Sequence, residues 1–375
     1  MDLTKARKSA EQIEAKLLAH AEDIAAILRR PKPDRDVAEA NLSMMKMNGL
    51  RPQLRRLLRE YEKVLARKDA SFAPKTNLAD GRIDRYFRGV RFRLRQWRMF
   101  EQLVEDQILR EGGELFPAPP EDDIYFRRIS EALSAMETAL HRLANPNAQS
   151  DAARENGYFP DIPLPSDQFI ENIHAAYRVC LALGKARPLR FLDVGAGGGT
   201  KLTLARLYFD LADGLEYDPG YVAAAERMFE ICQAARCRVI EGDGLTFEDY
   251  GAYDVIYFYR PIQDTPLLHQ LEERIVQQAR PGTVLVAPYD PFVARAEELG
   301  VPHIARRVYV TGLSEAQADD LRERAEAIGL DVAPPGLVTE PRVGFWGPLA
   351  EVSLANGWRP KTVKYKPSRD LSEWD

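Results

Sequence analysis

The chain has few of the residues that bind metals or cross-link small proteins. Its 375 residues include three cysteines and five histidines. Cys180, Cys232 and Cys237 are odd in number and lack metal-ligand spacing, and no two histidines form a His-x-x-x-His pair. We therefore expect reduced thiols and no structural or catalytic metal.

Long apolar runs are also missing. The first residues, from Met1 to Arg7, contain no apolar core of signal-peptide length, and no run approaches the roughly 18 apolar residues that a membrane helix needs. Apolar residues make up 45% and charged residues 29% of the chain, as in a soluble globular protein. We expect a cytoplasmic protein with no membrane partner.

Charge is unevenly distributed along the chain. The total is −5, to which residues 1–150 contribute +5 and residues 151–375 contribute −10. This asymmetry favours two units with different tasks, and a length of 375 residues also exceeds one typical domain. Because the whole protein is acidic, nucleic acid is a less favoured partner than a small molecule or a peptide.

The first part of the chain is predicted to be helical. Apolar residues recur at intervals of three and four from Leu3 to Leu28, and Pro31 and Pro33 follow. Further helical stretches are predicted at about 34–47, 53–68, 82–110 and 123–143, with Gly49 and Pro52 separating the first two of these. Residues 1–150 are thus expected to form an α-helical domain that walls an acceptor pocket, docks a partner or oligomerises. The sequence leaves open whether two copies of the chain form a homodimer.

Strands and helices alternate from Asp167 onward. Strands are expected near 191–194, 212–218, 237–244, 253–259, 283–289 and 303–311, with helices between them. This alternation predicts an α/β, doubly wound, mostly parallel sheet in a domain spanning 151–335. Residues 336–375, which contain Phe345, Trp346 and Trp358, are expected to pack on that domain as an extension.

A glycine loop follows the first of these strands. Residues 191–199 read Phe-Leu-Asp-Val-Gly-Ala-Gly-Gly-Gly, and a helix is predicted to begin at Thr200. Gly195, Gly197 and Gly199 permit positive φ angles, and amides at a helix start point at a bound anion or nucleotide. A dinucleotide fingerprint requires its third glycine where Thr200 stands, so the loop indicates a different nucleotide.

Two carboxylates follow at the ends of the next strands. Glu216 ends the second strand about twenty residues after the loop, where a carboxylate can accept hydrogen bonds from both ribose hydroxyls. Asp243 ends the third strand. The glycine loop and these two acids therefore predict one nucleotide site at the carboxyl edge of the sheet.

The order Asp193-x-Gly195-x-Gly197-x-Gly199, followed by Glu216 and Asp243, resembles the class I S-adenosylmethionine-dependent methyltransferases over about residues 166–312. The resemblance implies a Rossmann-like fold, S-adenosyl-L-methionine as the cofactor and S-adenosyl-L-homocysteine as its product. It also implies that Asp243 accepts a hydrogen bond from the adenine amino group. The cofactor-binding residues that it implies are Asp193, Gly195, Ala196, Gly197, Gly199, Glu216, Tyr217, Asp243, Gly244 and Tyr259.

The end of the fourth strand is the predicted acceptor site. Members of the family that methylate amide or nucleobase amino nitrogens carry Asp/Asn-Pro-Pro-aromatic there, and only Pro261 matches. Such acceptors are therefore less favoured. Arg260 is the candidate to bind a carboxylate or phosphate of the acceptor. The alternative is an ion pair between Arg260 and Asp254 or Asp264.

Three further residues are candidates for the site. Tyr259 can orient the acceptor, although an aromatic residue at a strand end often belongs to the core. His269 is the nearest candidate base along the chain, with a helix-surface histidine as the alternative. Tyr158, next to Phe159 in a turn-rich segment, can bind or cover the acceptor, and otherwise forms an apolar clasp between domains.

A basic helix leaves other functions open. Arginines recur at helical spacing from Arg82 to Arg98, so this helix can follow a phosphate backbone, pair with the acidic domain or face solvent. The favoured function is methyl transfer to a small metabolite or a peptide, with an anionic acceptor compatible with Arg260. One alternative is an RNA or protein methyltransferase that docks its substrate on this helix. The other is a scaffold that binds the cofactor without catalysis.

Overall fold

A computed structural model describes residues 3–30, 32–69, 78–109, 112–118, 124–144, 149–155, 165–186, 188–328 and 344–358. The chain divides into two compact units. The first consists of residues 1–110 and 337–375, and the second of residues 111–336. In the part of the chain that is described, no helix is both long and apolar enough to cross a membrane.

The first unit begins with four helices: α1 (Leu3–Leu28), α2 (Val37–Asp69), α3 (Leu78–Arg95) and α4 (Trp97–Leu109). Two predicted boundaries were wrong. Helix α2 runs through Gly49 and Pro52 as one helix, because Met47 and Leu54 on either side are buried in the core, and their packing outweighs the hydrogen bond that proline cannot donate. The predicted helix at 82–110 is two helices that meet at Gln96.

The second unit contains eight helices and seven strands in its described residues. The helices are α5 (Ile124–Ala144), α6 (Asp151–Glu155), α7 (Ser166–Ala182), α8 (Thr200–Ala205), α9 (Pro219–Ile231), α10 (Thr265–Gln278), α11 (Pro291–Glu298) and α12 (Glu315–Ile328). The strands are β1 (Arg190–Val194), β2 (Leu211–Glu216), β3 (Cys237–Glu241), β4 (Val255–Phe258), β5 (Val284–Val286), β6 (His303–Ala305) and β7 (Val308–Val310).

These strands form one sheet in the order β3-β2-β1-β4-β5-β7-β6. Strands β1 to β5 are parallel, whereas β7 is antiparallel to both β5 and β6. The predicted strand at 303–311 is therefore a hairpin, in which Arg306 adopts a φ of 46° at the turn. The predicted fold class, a mostly parallel, Rossmann-like sheet preceded by helices, is confirmed.

Both faces of the sheet are covered by apolar cores. Phe191 and Tyr257 point to one face and pack with Phe169 of α7. On the other face, Phe258 packs with Phe292 of α11. Neighbouring strand residues alternate between faces, so the strands are buried on both sides, as a parallel sheet requires.

The first unit is completed by α13 (Gly347–Ala355) near the end of the chain. Trp346, just before this helix, stacks on Phe100 of α4, and its indole nitrogen donates a hydrogen bond to the carbonyl of Arg93. This division differs from the predicted one, in which the extension packs on the catalytic domain and the helical domain ends at residue 150. The apolar residues of α13 and of the turn before it are buried against α1 and α4. Helix α5, which was predicted to belong to the helical domain, is part of the second unit.

Candidate active site

A cavity of about 310 Å³ lies at the carboxyl ends of the parallel strands in the second unit. The strand order reverses between β1 and β4, and a reversal of this kind opens a crevice in which α/β sheets bind ligands. The volume lies at the lower end of the range for small-molecule sites. Residues of the predicted site that line the cavity are Gly195, Gly197, Glu216, Tyr217, Asp243, Gly244, Tyr259 and Arg260.

The glycine loop between β1 and α8 has the geometry that the sequence predicts. Gly195, Gly197 and Gly199 have φ angles of 78°, 55° and 73°. A Cβ atom on Gly195 would lie 2.6 Å from the Cβ of Pro261, so this glycine lets the loop after β1 touch the loop after β4.

Glu216 joins the ends of the first two strands. Its side chain is 8% exposed, and its two carboxylate oxygens accept hydrogen bonds from the amide of Gly197 (2.7 Å) and the amide of Asp218 (2.8 Å). The acid thus holds the glycine loop while it lines the cavity. Its predicted bonds to a ribose stay a prediction.

Asp243 and Gly244, in the loop after β3, also line the cavity. The carboxylate of Asp243 accepts a hydrogen bond from the amide of Leu245 (2.9 Å), and the carbonyl of Gly244 accepts one from the hydroxyl of Tyr250 (2.9 Å). These bonds fix the loop after β3 beside Glu216. The role of Asp243 toward an adenine ring stays a prediction.

Three other residues of the predicted cofactor set lie behind the cavity wall. Asp193 is buried within β1, where its register neighbours are Gly214 and Tyr257. Ala196 is buried in the loop, and Gly199 packs against Phe229 at the start of α8. None of the three lines the cavity, and their predicted part in cofactor binding stays a prediction.

Arg260 lines the cavity in a strained conformation. Its φ of 44° is rare for a residue with a Cβ atom and is typical of functional sites. The two carboxylates that the sequence offered as ion-pair partners have other bonds. Asp264 caps α10 by accepting from the amide of Leu267 (2.9 Å), and Asp254, at the opposite end of β4, pairs with Lys185 (3.1 Å).

Tyr289 stands beside Arg260 and was not predicted. Its hydroxyl donates a hydrogen bond of 2.7 Å to Glu272, which is 1% exposed and also pairs with Arg295 (3.2 Å). Burial, followed by the charge of Glu272, raises the pKa of Tyr289, while the positive charge of Arg260 acts in the opposite direction. No sequence pattern connects these residues, because they come from separate elements.

The remaining candidates have mixed placements. Tyr259 lines the cavity and is 36% exposed. His269 lies on α10, partly buried, and is not part of the cavity wall. Tyr158 lies outside the described residues. Lys201 lines the cavity and was missed, and its ammonium lies 5.8 Å from the centre of the Tyr257 ring.

Segments that precede the sheet are tied to the loops around the cavity. Nδ1 of His141, on α5, lies 3.0 Å from the hydroxyl of Thr200 at the start of α8. The amide of Ser150 donates to Asp218, whose other oxygen accepts from the amide of Gly220 at the start of α9. The sequence signal that could have indicated the cap is the dipeptide Asp218-Pro219, which is typical of a helix start.

The family model of protein-L-isoaspartate(D-aspartate) O-methyltransferase matches residues 136–299. The chain contains a class I S-adenosylmethionine-dependent methyltransferase domain. The match covers less than half of the chain, starts within α5 and includes the glycine loop, Glu216, Asp243 and Arg260. A search of curated proteins finds no match.

Solved structures of other methyltransferases are similar to parts of the chain. An RNA methyltransferase from Salinibacter ruber, in complex with S-adenosyl-L-homocysteine, is 19% identical with a TM-score of 0.31, over 41% of this chain and 95% of its own. The magnesium protoporphyrin IX methyltransferase from Synechocystis PCC 6803 is 13% identical with a TM-score of 0.34, over 52% and 100%. An amino pentose methyltransferase from Micromonospora echinaspora is 21% identical with a TM-score of 0.27, over 35% and 58%.

Proposed function

We propose that the methyltransferase domain transfers a methyl group from S-adenosylmethionine to a small metabolite or a peptide that carries an anionic group. One observation carries the proposal. Gly197, Glu216 and Asp243 line the same cavity as Arg260. Three groups suited to a nucleoside thus line one cavity with a guanidinium suited to an acceptor, and Lys201 adds a second cation.

The residues present fit the cofactor. The close approach at Gly195 leaves no room for a side chain, so the loop presents bare backbone to the cavity. Glu216 offers two carboxylate oxygens to ribose hydroxyls, and Asp243 offers a carboxylate to the adenine amino group. When bound, S-adenosylmethionine supplies a methyl group that its sulfonium charge already activates. The protein then has to position the acceptor.

Arg260 is proposed to hold the acceptor by its anionic group. A guanidinium binds a carboxylate or phosphate through two parallel hydrogen bonds, which fix orientation as well as position. The name of the matching family describes O-methylation of protein isoaspartate, which has a carboxylate acceptor. An acceptor with a free carboxylate is therefore the first choice for this cavity.

An ionised acceptor removes the need for a general base. A carboxyl group with an ordinary pKa near 4 has lost its proton at neutral pH, so its oxygen already holds the attacking electron pair. The position of His269 outside the cavity wall agrees with this chemistry. Tyr259 would orient the acceptor at the mouth of the cavity.

The test is turnover of S-adenosylmethionine on a panel of acceptors. The panel contains small carboxylic acids, phosphorylated metabolites, an isoaspartyl peptide with its aspartyl counterpart, and RNA. Mass spectrometry should detect one added methyl group on a carboxylate compound. Methylation of RNA or of a folded protein alone would favour the alternative in which the Arg82–Arg98 helix docks the substrate. Binding of the cofactor without turnover on any acceptor would favour the scaffold.

A further inference from the structure

Part of the basic run in the first unit is neutralised by its own chain. Arg91 pairs with Glu62 (2.8 Å), Arg93 pairs with Glu14 (2.6 Å), and Arg88 pairs with Asp84. Other arginines of α2, α3 and α4 are exposed and form no hydrogen bond or ion pair with the residues that the structure describes. These are Arg55, Arg56, Arg59, Arg82, Arg85, Arg95 and Arg98.

Contacts at two positions fix how α2 runs beside α3 and α4. Near the end of α2, Glu62 accepts hydrogen bonds from Arg91 of α3. Nearer its start, Asn48 accepts from the indole of Trp97 (2.7 Å) and donates to Glu101 (2.8 Å), both on α4. The helices are therefore antiparallel, and the segments between these contacts face each other.

Five arginines occupy the stretch between the two sets of contacts, and we call them the arginine seam. Helix α2 contributes three of them at intervals of four residues, which keeps them on the face that carries Asn48 and Glu62. Helix α3 contributes Arg95, one turn after Arg91, and helix α4 contributes Arg98, one turn before Glu101. The seam consists of Arg51, Arg55, Arg59, Arg95 and Arg98.

Like charges act on one another within the seam. The guanidinium of Arg51 lies 5.0 Å from the centre of the Trp97 ring, where burial lowers its pKa. The neighbouring charge of Arg55 lowers that pKa further, and Glu101 acts in the opposite direction. Residues 1–110 as a whole carry an excess of positive charge, with 25 lysines and arginines against 16 acidic residues. An anion bound along the seam would relieve the repulsion.

We infer that the arginine seam binds the phosphate backbone of a single RNA strand. Steps of four residues on α2 separate neighbouring guanidinium groups by about 6 Å along the helix, so the ligand must present anions in a row. Arginine binds phosphate oxygens in pairs. Phe92, which is 41% exposed and one turn before Arg95, adds an aromatic surface on which a base can stack. An acidic peptide has no base to place there.

This inference is independent of the proposed acceptor, because it concerns the first unit alone. It is tested by the fluorescence anisotropy of a labelled single-stranded RNA of mixed sequence, titrated with the full-length protein at a series of KCl concentrations. The logarithm of affinity should fall linearly with the logarithm of salt concentration. With one phosphate contact for each of the four exposed arginines of the seam, the slope on a single strand should be about −3.

A pair of matched variants separates the seam from net charge. The double variant Arg55→Gln with Arg98→Gln should lower RNA affinity on the order of tenfold and reduce the steepness of the salt dependence by about 1.4. The control, Arg56→Gln with Arg82→Gln, removes the same charge from exposed positions on α2 and α3 outside the seam. It should bind RNA within about a factor of two of the wild type. Glutamine is a good helix former, so both variants should melt like the wild type.

Equal losses in the two double variants would overturn the seam as the binding site. A poly-glutamate peptide that displaces the RNA and binds more tightly would instead identify an acidic protein as the partner, which also overturns the inference. So would affinity for RNA that does not change with salt.

Discussion

The carboxylate of Glu216, at the end of the second strand, accepts a 2.7 Å hydrogen bond from the backbone amide of Gly197 in the loop after the first strand. The bond lies inside the cavity wall, since both residues line it. Glu216 therefore has a role in the shape of the loop as well as its proposed role toward the ribose. Changes at this residue should affect cofactor binding through both.

Replacing Glu216 by glutamine should weaken binding of S-adenosylmethionine by about 2–3 kcal/mol, because a neutral amide loses charge-assisted bonds to the ribose. Isothermal titration calorimetry measures the change. Glu241→Gln is the matched control, since Glu241 is the register neighbour of Glu216 on the adjacent strand but is exposed. Unchanged affinity in a folded Glu216→Gln protein would mean that Glu216 does not bind the cofactor.

The contact between Gly195 and Pro261 should be essential for the cavity. Gly195→Ala places a Cβ atom 2.6 Å from the Cβ of Pro261, so the loop after β4 must move and cofactor binding should fall at least tenfold. Gly300→Ala is the control, because Gly300 also has a positive φ, of 65°, but open space around its Cβ position. It should cost only about 1 kcal/mol of stability and leave binding intact. Similar binding by both variants would mean that the contact does not shape the cavity.

Arg260 should matter for the acceptor and not for the donor. Arg260→Lys keeps the charge but loses the planar pair of donors. The fall in kcat/KM for the acceptor should correspond to a loss of about 2 kcal/mol in transition-state stabilisation, and Arg260→Ala should lower kcat/KM further. Affinity for S-adenosylmethionine should stay at the wild-type value. Arg227→Lys, at an exposed position on α9, should change neither quantity. A loss of thermal stability in both Arg260 variants, with acceptor kinetics unchanged, would mean that Arg260 stabilises the loop after β4 and does not bind the acceptor.

Asp218 should do more than cap a helix. Asp218→Ala removes the cap of α9 and also the hydrogen bond from the amide of Ser150 (2.7 Å). Asp264→Ala removes only a cap, that of α10. The second variant should cost about 1 kcal/mol in the free energy of unfolding. The first should cost more by about 1 kcal/mol, because it also loses the hydrogen bond from the amide of Ser150. Equal costs in urea denaturation would mean that the bond to Ser150 contributes nothing.

Local sequence was sufficient for the fold class and for much of the cavity wall. The glycine loop is written in a few consecutive residues, and its three positive φ angles follow from the absence of a Cβ atom. Glu216 and Asp243 could be assigned to the same edge because parallel strands that follow one another through helices end on the same side of a sheet. The alternation of apolar segments determined that arrangement before any contact was known.

Tertiary packing decided the rest. Helix α2 continues through Pro52 because burial of its flanking residues outweighs a local preference, and the aromatic residues near α13 are buried in the helical unit, a choice that an apolar pattern alone leaves open. The bonds of Tyr289 to Glu272 and of Ser150 to Asp218 join residues distant in sequence, so no local motif encodes them. Spacing along the chain predicted the arginine run, but only tertiary contacts showed that Arg91 is neutralised by Glu62 of α2 and Arg93 by Glu14 of α1.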